Sequence, residues 1–383
     1  MKYNERTTAP ISSVDADEGQ PFAKKSNEII TEKSEEVNSC EKDYEEWQKK
    51  MRQMMEPYYL QTVSMNELYD TIYKCRPPLI EGLLYPGTYL FVGAPKLGKS
   101  FFMAQLAYHI STGIPLWDYP VSKGTVLYLD LEDDYRRLQK RLFQMFGTDS
   151  AENLNFAISS KQLGNGLDEQ LKRFMREHAD TRLIIIDTLQ KVRDTGADKH
   201  SYSNDYEVIT RLKQFVDSYG ICLLLVHHTR KQQSDDKFDM ISGTNGLLGA
   251  ADGAWLLQKE KSTSNSATLD ISGRDQQDQR LYLNKDVERL TWQLEKAETE
   301  LWKEPPDSIL EAVAAIVTEE QTEWNGSPSE LVSKLGLDIK PNVLTKRLNV
   351  NAGRLQNEYG ICYESDRNHD GRYIKLSLYI SSA

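Results

Sequence analysis

The sequence predicts an α/β fold with a mostly parallel sheet, followed by a smaller separate unit. Three observations carry this. Between Pro77 and about Leu294, short apolar runs alternate with amphipathic stretches, the order expected of parallel strands joined by helices. The stretch LFVGAPKLGKSFFM, residues 90–103, places a glycine loop between the first apolar run and a helix-like run. The paired prolines of WKEPPD, residues 302–307, then separate this region from a C-terminal segment of different pattern.

Taken in order, residues 1–42 are rich in Ser, Glu, Asp, Lys and Asn and lack regular apolar spacing, so they predict a disordered acidic tail. Residues 43–76 place Trp47, Met51, Met54 and Met55 at helical spacing up to Pro57. This reads as a helical lead-in that packs on its own domain or docks on a neighbouring subunit. The core, residues 77–296, carries the strand-like runs GTYLFVGA, TVLYLDL, LNFAIS, RLIIIDT, CLLLVHH, GAWLLQK, ATLDISG and RLYLNK. Residues 297–307 read as a linker and 308–383 as the small C-terminal domain.

Composition narrows the function. At 383 residues, 39% hydrophobic and 27% charged, the chain has the make-up of a soluble globular protein. No apolar run approaches the roughly 18 residues of a membrane helix, which predicts no membrane partner. The N-terminal residues lack the apolar stretch of a secretory signal, and Cys40, Cys75, Cys222 and Cys362 have neither zinc nor disulfide spacing. Both points predict a cytoplasmic protein. A net charge of −11 excludes a generally basic nucleic-acid binder, so any such contact must be local.

The glycine loop matches G-x-x-x-x-G-K-[ST] at Gly93, Gly98, Lys99 and Ser100, with Ala94, Pro95, Lys96 and Leu97 between and Phe101 opening the helix. Such a loop turns backbone N–H groups and a helix N-terminus toward phosphate. Lys99 then reaches the β and γ phosphates and the Ser100 hydroxyl binds Mg²⁺, so ATP and Mg²⁺ are the expected ligands. RLIIIDT ends an apolar strand in Asp187, where a carboxylate orients the metal's water shell. TVLYLDLEDD ends in Glu132, suited to take the proton of the water attacking the γ-phosphate. Asp130 is an alternative base, and Glu132 as a mere helix cap is the structural alternative.

In this order, GAPKLGKS, VLYLDLEDDYRRLQKRL, LIIIDTLQKV, CLLLVHHTRK and SGTNGLLGAADGAWLLQK resemble the RecA-type core of hexameric helicases of the RepA and DnaB kind. The likeness extends over about residues 77–294 and is greatest to RepA-like ATPases of plasmids and mobile elements. It implies a RecA-like phosphate-loop ATPase acting as a homo-hexameric ring. It also implies Glu132 as catalytic glutamate, His227 or His228 as the γ-phosphate sensor, with His227 taken first, and Arg274 as a finger entering the next subunit's site. Arg280 and Lys285 are near enough in sequence to be that finger instead. In such rings two loops face the central channel. Here these are residues 190–206, with Lys191, Arg193, Lys199, Tyr202 and Tyr206, and residues 229–246, with Arg230, Lys231, Lys237 and Phe238. Basic residues mixed with aromatics suit single-stranded DNA.

In the C-terminal domain, Ser327 and Glu330 form a capping-box pattern, residues 341–357 read as one helix bearing Lys346, Arg347 and Arg354, and two strand-like runs flank DRNHDG. This resembles a winged helix with Arg367 and Arg372 on its wing, which implies contact with duplex DNA or a replication protein. The whole reads as an ATP-driven DNA helicase or translocase in the replication of a mobile element. The alternatives are a non-translocating ATP switch that recruits a partner and, less well supported, a small-molecule kinase.

Overall fold

The computed structural model describes residues 48, 51–52, 55–56, 58–60, 62–73, 76–193, 202–228, 245–259, 261, 264–274, 276–298, 305–368 and 371–379. The expected tail 1–42, most of the linker and the middle of both channel loops, including Lys199, Arg230, Lys231, Lys237 and Phe238, lie outside these residues. The chain divides into two compact units, Met1–Leu68 and Tyr69–Ala383. In the first, Met51 and Met55 are exposed, and Ser64 forms a reciprocal capping pair with Glu67 at the start of helix α1 (Met65–Asp70), whose last two residues, Tyr69 and Asp70, belong to the second unit.

In the second unit the alternation seen in sequence becomes β1 (Gly87–Gly93), α2 (Lys99–Thr112), β2 (Thr125–Asp130), α3 (Tyr135–Phe146), β3 (Leu154–Ala157), α4 (Leu167–Glu177) and β4 (Thr181–Asp187). There follow α5 (Leu189–Val192), α6 (Tyr202–Tyr219), β5 (Cys222–His228), α7 (Asn245–Ala250), β6 (Gly253–Gln258), β7 (Ser266–Gly273), β8 (Gln276–Lys285) and β9 (Trp292–Ala297). All nine strands form one sheet in the order β3-β2-β4-β5-β1-β6-β7-β8-β9. The pairings from β3 to β6 are parallel, and those from β6 to β9 are antiparallel. This is the RecA-like phosphate-loop fold. Continuous apolar runs such as GTYLFVG are what a strand covered on both faces requires, and every residue of β1 is buried.

Side chains of a strand alternate between faces, which sorts the core into two layers. Tyr89, Phe91, Val126, Tyr128, Leu183, Ile185, Leu224 and Val226 face α2 with Phe102 and Leu106. Leu90, Val92, Leu127, Leu129, Ile184, Ile186, Leu223 and Leu225 face the other layer with α4 and α6. At the centre of the first layer, Phe91 is fully buried, its ring 5.3 Å from Phe102 and 6.4 Å from Trp255. Phe91→Ala is expected to cost about 3–5 kcal/mol. A lowered urea midpoint checks this, against no change for Val287→Ala on the surface.

Residues 308–379 form a second sheet with its own core. Its elements are α8 (Ser308–Ala314), β10 (Glu323–Gly326), α9 (Pro328–Leu335), α10 (Pro341–Val350), α11 (Ala352–Tyr359), β11 (Ile361–Asn368) and β12 (Gly371–Leu378). The strand order is β10-β12-β11, all antiparallel. The Ser327–Glu330 capping box forms. The single helix expected over 341–357 is instead two, broken at Asn351, whose side-chain amide donates to Arg347 O at 2.8 Å and so competes with helix continuation. Buried Asn349 ties this region inward, accepting from Tyr363 Oη at 2.8 Å and donating to Tyr69 O at 2.9 Å.

Candidate active site

The first α/β turn sets the site. An added Cβ at Gly93 would stand 2.8 Å from Leu257 O on neighbouring β6, so only glycine lets the two backbones approach this closely. Gly98 has φ +97°, a left-handed conformation that directs the chain from the loop into α2. Lys99, 5% exposed, donates from Nζ to Gly93 O at 2.9 Å and Ala94 O at 3.1 Å, so its ammonium lies within the loop's own curve.

Parity then decides which carboxyl-end residues meet it. Asp130, Asp187 and His228 continue the face of β2, β4 and β5 that packs on α2. Asp187 Oδ2 accepts from Ser100 Oγ at 2.7 Å and from Tyr128 Oη at 3.0 Å. His228 Nδ1 lies 3.0 Å from Lys99 Nζ, and since an ammonium only donates, that nitrogen accepts and the ring proton is on Nε2. Burial first, and then Lys99, push the His228 imidazole below its ordinary range, so it is neutral at physiological pH. His227, the position taken first for the sensor, is one residue out of phase: it is buried beside Val92 and does not line the cleft.

Glu132 is exposed at the cleft and accepts from Thr188 Oγ1 at 3.3 Å. It does not cap α3; Asp134 does, accepting from Arg137 N at 2.8 Å. Asp130, the alternative base, is buried and bound to Arg141 at 3.0 Å, and Arg141 also pairs with Asp133. Burial raises the Asp130 carboxyl to about 6 against the pull of Arg141. Together Lys96, Gly98, Lys99, Ser100, Phe101 and Glu132, with Arg141, Asp187, His228 and Lys285, enclose a cleft of about 300 Å³.

Arg274 is not part of it. It follows β7 at the opposite end of the sheet, where Arg274 N donates to Asp252 O and its guanidinium donates to Gly249 O at 3.0 Å. Arg280 is paired with Asp270 at 2.6 Å. Sequence reasoning missed Tyr128 and Arg141. The parity of TVLYLD placed Tyr128 on the same face as Asp130, but nothing in the chain told which face α2 covers.

A family model described as the AAA domain matches residues 37–234, from before β1 to just beyond β5. The chain belongs to the AAA domain family. With its RecA-like phosphate-loop fold, this AAA domain protein is an ATPase. No curated protein matches the chain. Among solved structures it is similar to one described as an ATPase domain, with 16% identity over 54% of this chain and 84% of that one and a TM-score of 0.46. It is also similar to a DnaB-like replicative helicase described with its interactions with primase, at 17% identity over 71% and 75% with a TM-score of 0.47. A KaiC-like protein of Pyrococcus horikoshii OT3 matches at 14% identity over 59% and 99%, TM-score 0.42. No helix among the described residues is long and apolar enough to cross a membrane.

Proposed function

We propose that this AAA domain protein is a ring-forming, RecA-type motor that uses ATP hydrolysis to translocate on or unwind DNA in the replication of a mobile element. The supporting observation is that Lys99, Ser100, Asp187, Glu132 and His228, drawn from three strand ends and one helix start, meet in one cleft. The donor set also fits a divalent cation: a hydroxyl and a carboxylate, already 2.7 Å apart, are hard oxygen ligands of the kind Mg²⁺ takes. When bound, such an ion neutralises phosphate charge and orients the reacting group.

The protein's own residues divide the remaining work. Lys99 would exchange the Gly93 and Ala94 carbonyls for β- and γ-phosphate oxygens, and Ser100 with Asp187 would hold the metal, which would supply charge neutralisation at the phosphates. Tyr128, fully buried with its phenol held protonated by burial, keeps Asp187 oriented. Glu132 takes the proton of the attacking water. His228, bonded to Lys99, registers whether the γ-phosphate has drawn the lysine away. Exposed Lys191, on α5 after β4, belongs to the first loop suited to a single strand.

Arg274 is proposed as the cation offered to the neighbouring cleft, its side chain 59% exposed. Mixing Lys99→Ala subunits with Arg274→Ala subunits is expected to restore ATPase activity where an intact cleft meets an intact arginine. Proven subunit exchange without rescue removes Arg274 from the site. In the C-terminal domain Arg347 pairs with Asp307 at 2.7 Å, Arg354 with Glu358 at 2.8 Å and Arg372 with Asp70 at 3.3 Å. With three of the five cations named there engaged in ion pairs and Arg367 exposed on the wing, the pairing favours a protein partner there over duplex DNA.

The test is ATPase rate with and without single-stranded DNA, on protein whose oligomeric state is measured. Stimulation of severalfold supports the motor; slow hydrolysis indifferent to DNA supports an ATP switch instead.

A further inference from the structure

We propose that Lys285 binds the α-phosphate of the nucleotide held by its own subunit, as a second phosphate-binding lysine acting in cis. The inference rests on the phosphate-loop reading above and deepens it. β8 runs antiparallel to β7, so its last residue arrives at the same sheet edge as the glycine loop, whereas Arg274 at the far end of β7 does not. There Lys285 pairs with Trp292 of β9. Its Nζ stands 4.2 Å from the centre of the Phe101 ring and 3.4 Å from where a Cβ on Gly98 would be.

The order of groups along the loop assigns the phosphate. His228, Asp187 and Glu132 gather around Lys99, at the end where the γ-phosphate is cleaved. Ser100 follows, and Lys285 stands over Gly98 and Phe101, the loop and first-turn backbone of the kind that cradles α- and β-phosphates, with neither Asp187 nor Glu132 among the charges that act on it. A triphosphate laid from the reacting end along the loop brings its α-phosphate to Phe101 and Lys285.

Charge points the same way. Of the cleft's other cations, Arg141 is neutralised by Asp130 and Asp133, Lys99 stands in the field of Asp187 and Glu132, and Lys96 is exposed to solvent. Lys285 makes no ion pair among the described residues. Burial, and then the nearby Lys259, lower its amine below the ordinary lysine value. A half-buried ammonium facing another cation is poorly satisfied until an anion arrives.

The test measures binding of fluorescent ADP and, by competition, of ATP to the full-length protein, with metal chelated and at concentrations where subunits are dissociated. Lys285→Met keeps the aliphatic stem on Phe101 and is expected to weaken ADP and ATP alike by about tenfold, while Lys285→Arg retains most of the affinity. Thermal unfolding without nucleotide should show Lys285→Met folded and no less stable. Unchanged ADP affinity in Lys285→Met overturns the inference. Lost hydrolysis that is rescued by mixing with Lys99→Ala would place Lys285 in trans, which also overturns it. Lys99→Ala is the control: if it too leaves ADP affinity unchanged, the phosphate-loop reading itself fails.

Discussion

Lys99→Ala is expected to abolish measurable ATP turnover and to raise the thermal stability of the nucleotide-free protein. The two effects have one cause. Loss of a preorganised cation at the phosphates costs on the order of 10²–10³ in rate, and here it also removes the group that binds the β- and γ-phosphates. In the empty site the same ammonium is a burden. Burial lowers its pKa to about 8 from 10.5, against the attraction of Asp187 and Glu132. Because the folded value lies below the unfolded one, protonation favours unfolding. The burden is therefore full below pH 8, where the difference of about 2.5 pH units is worth about 3 kcal/mol, and it fades as pH rises from 8 toward 10.5. A melting curve of Lys99→Ala above that of the parent at pH 7, with the gap closing toward pH 10, checks the electrostatic account. A variant that melts lower, or one that still hydrolyses ATP, contradicts it.

Glu132→Gln is expected to leave ATP binding intact while hydrolysis falls about 10²-fold or more, the usual scale for a lost general base. The amide keeps the shape and the capacity to accept from Thr188, whose hydroxyl is 3.3 Å away, but cannot take a proton. The geometry makes the substitution selective: Asp134 caps α3, so the helix does not depend on residue 132. Single-turnover hydrolysis, measured beside equilibrium ATP binding, separates the two quantities. If binding falls as far as turnover, Glu132 is holding the site together rather than carrying the proton.

The contrast between these residues and the histidines shows where local pattern stops. Lys99, Ser100, Asp187 and Glu132 were legible because each stands in a short motif whose chemistry depends on neighbours in the chain. A G-x-x-x-x-G-K-[ST] loop between a strand and a helix carries the backbone donors and the lysine that phosphate binding needs within eight residues, and a carboxylate closing an apolar strand after such a loop can be read from the chain. The parallel sheet was legible for a similar reason, since strands covered on both faces must read as unbroken apolar runs. The antiparallel extension from β6 to β9 was less so: its runs are short and apolar as well, and only the hydrogen-bonded register reveals that the chain reverses.

By itself, then, the sequence determined a phosphate-loop α/β ATPase core. The tertiary structure decided which of two adjacent histidines enters the cleft, that Asp130 is occupied by Arg141, that Tyr128 holds Asp187, and that Lys285 rather than Arg274 stands beside the subunit's own loop. The physical reason is common to all four. Residues within one motif lie within a few positions of one another, so the local backbone fixes their arrangement, even where the motifs themselves meet only in the fold. The others come from strands up to nearly two hundred residues from the loop, such as Lys285 and Gly98, and pairing order, register and the face covered by α2 decide which of them meet.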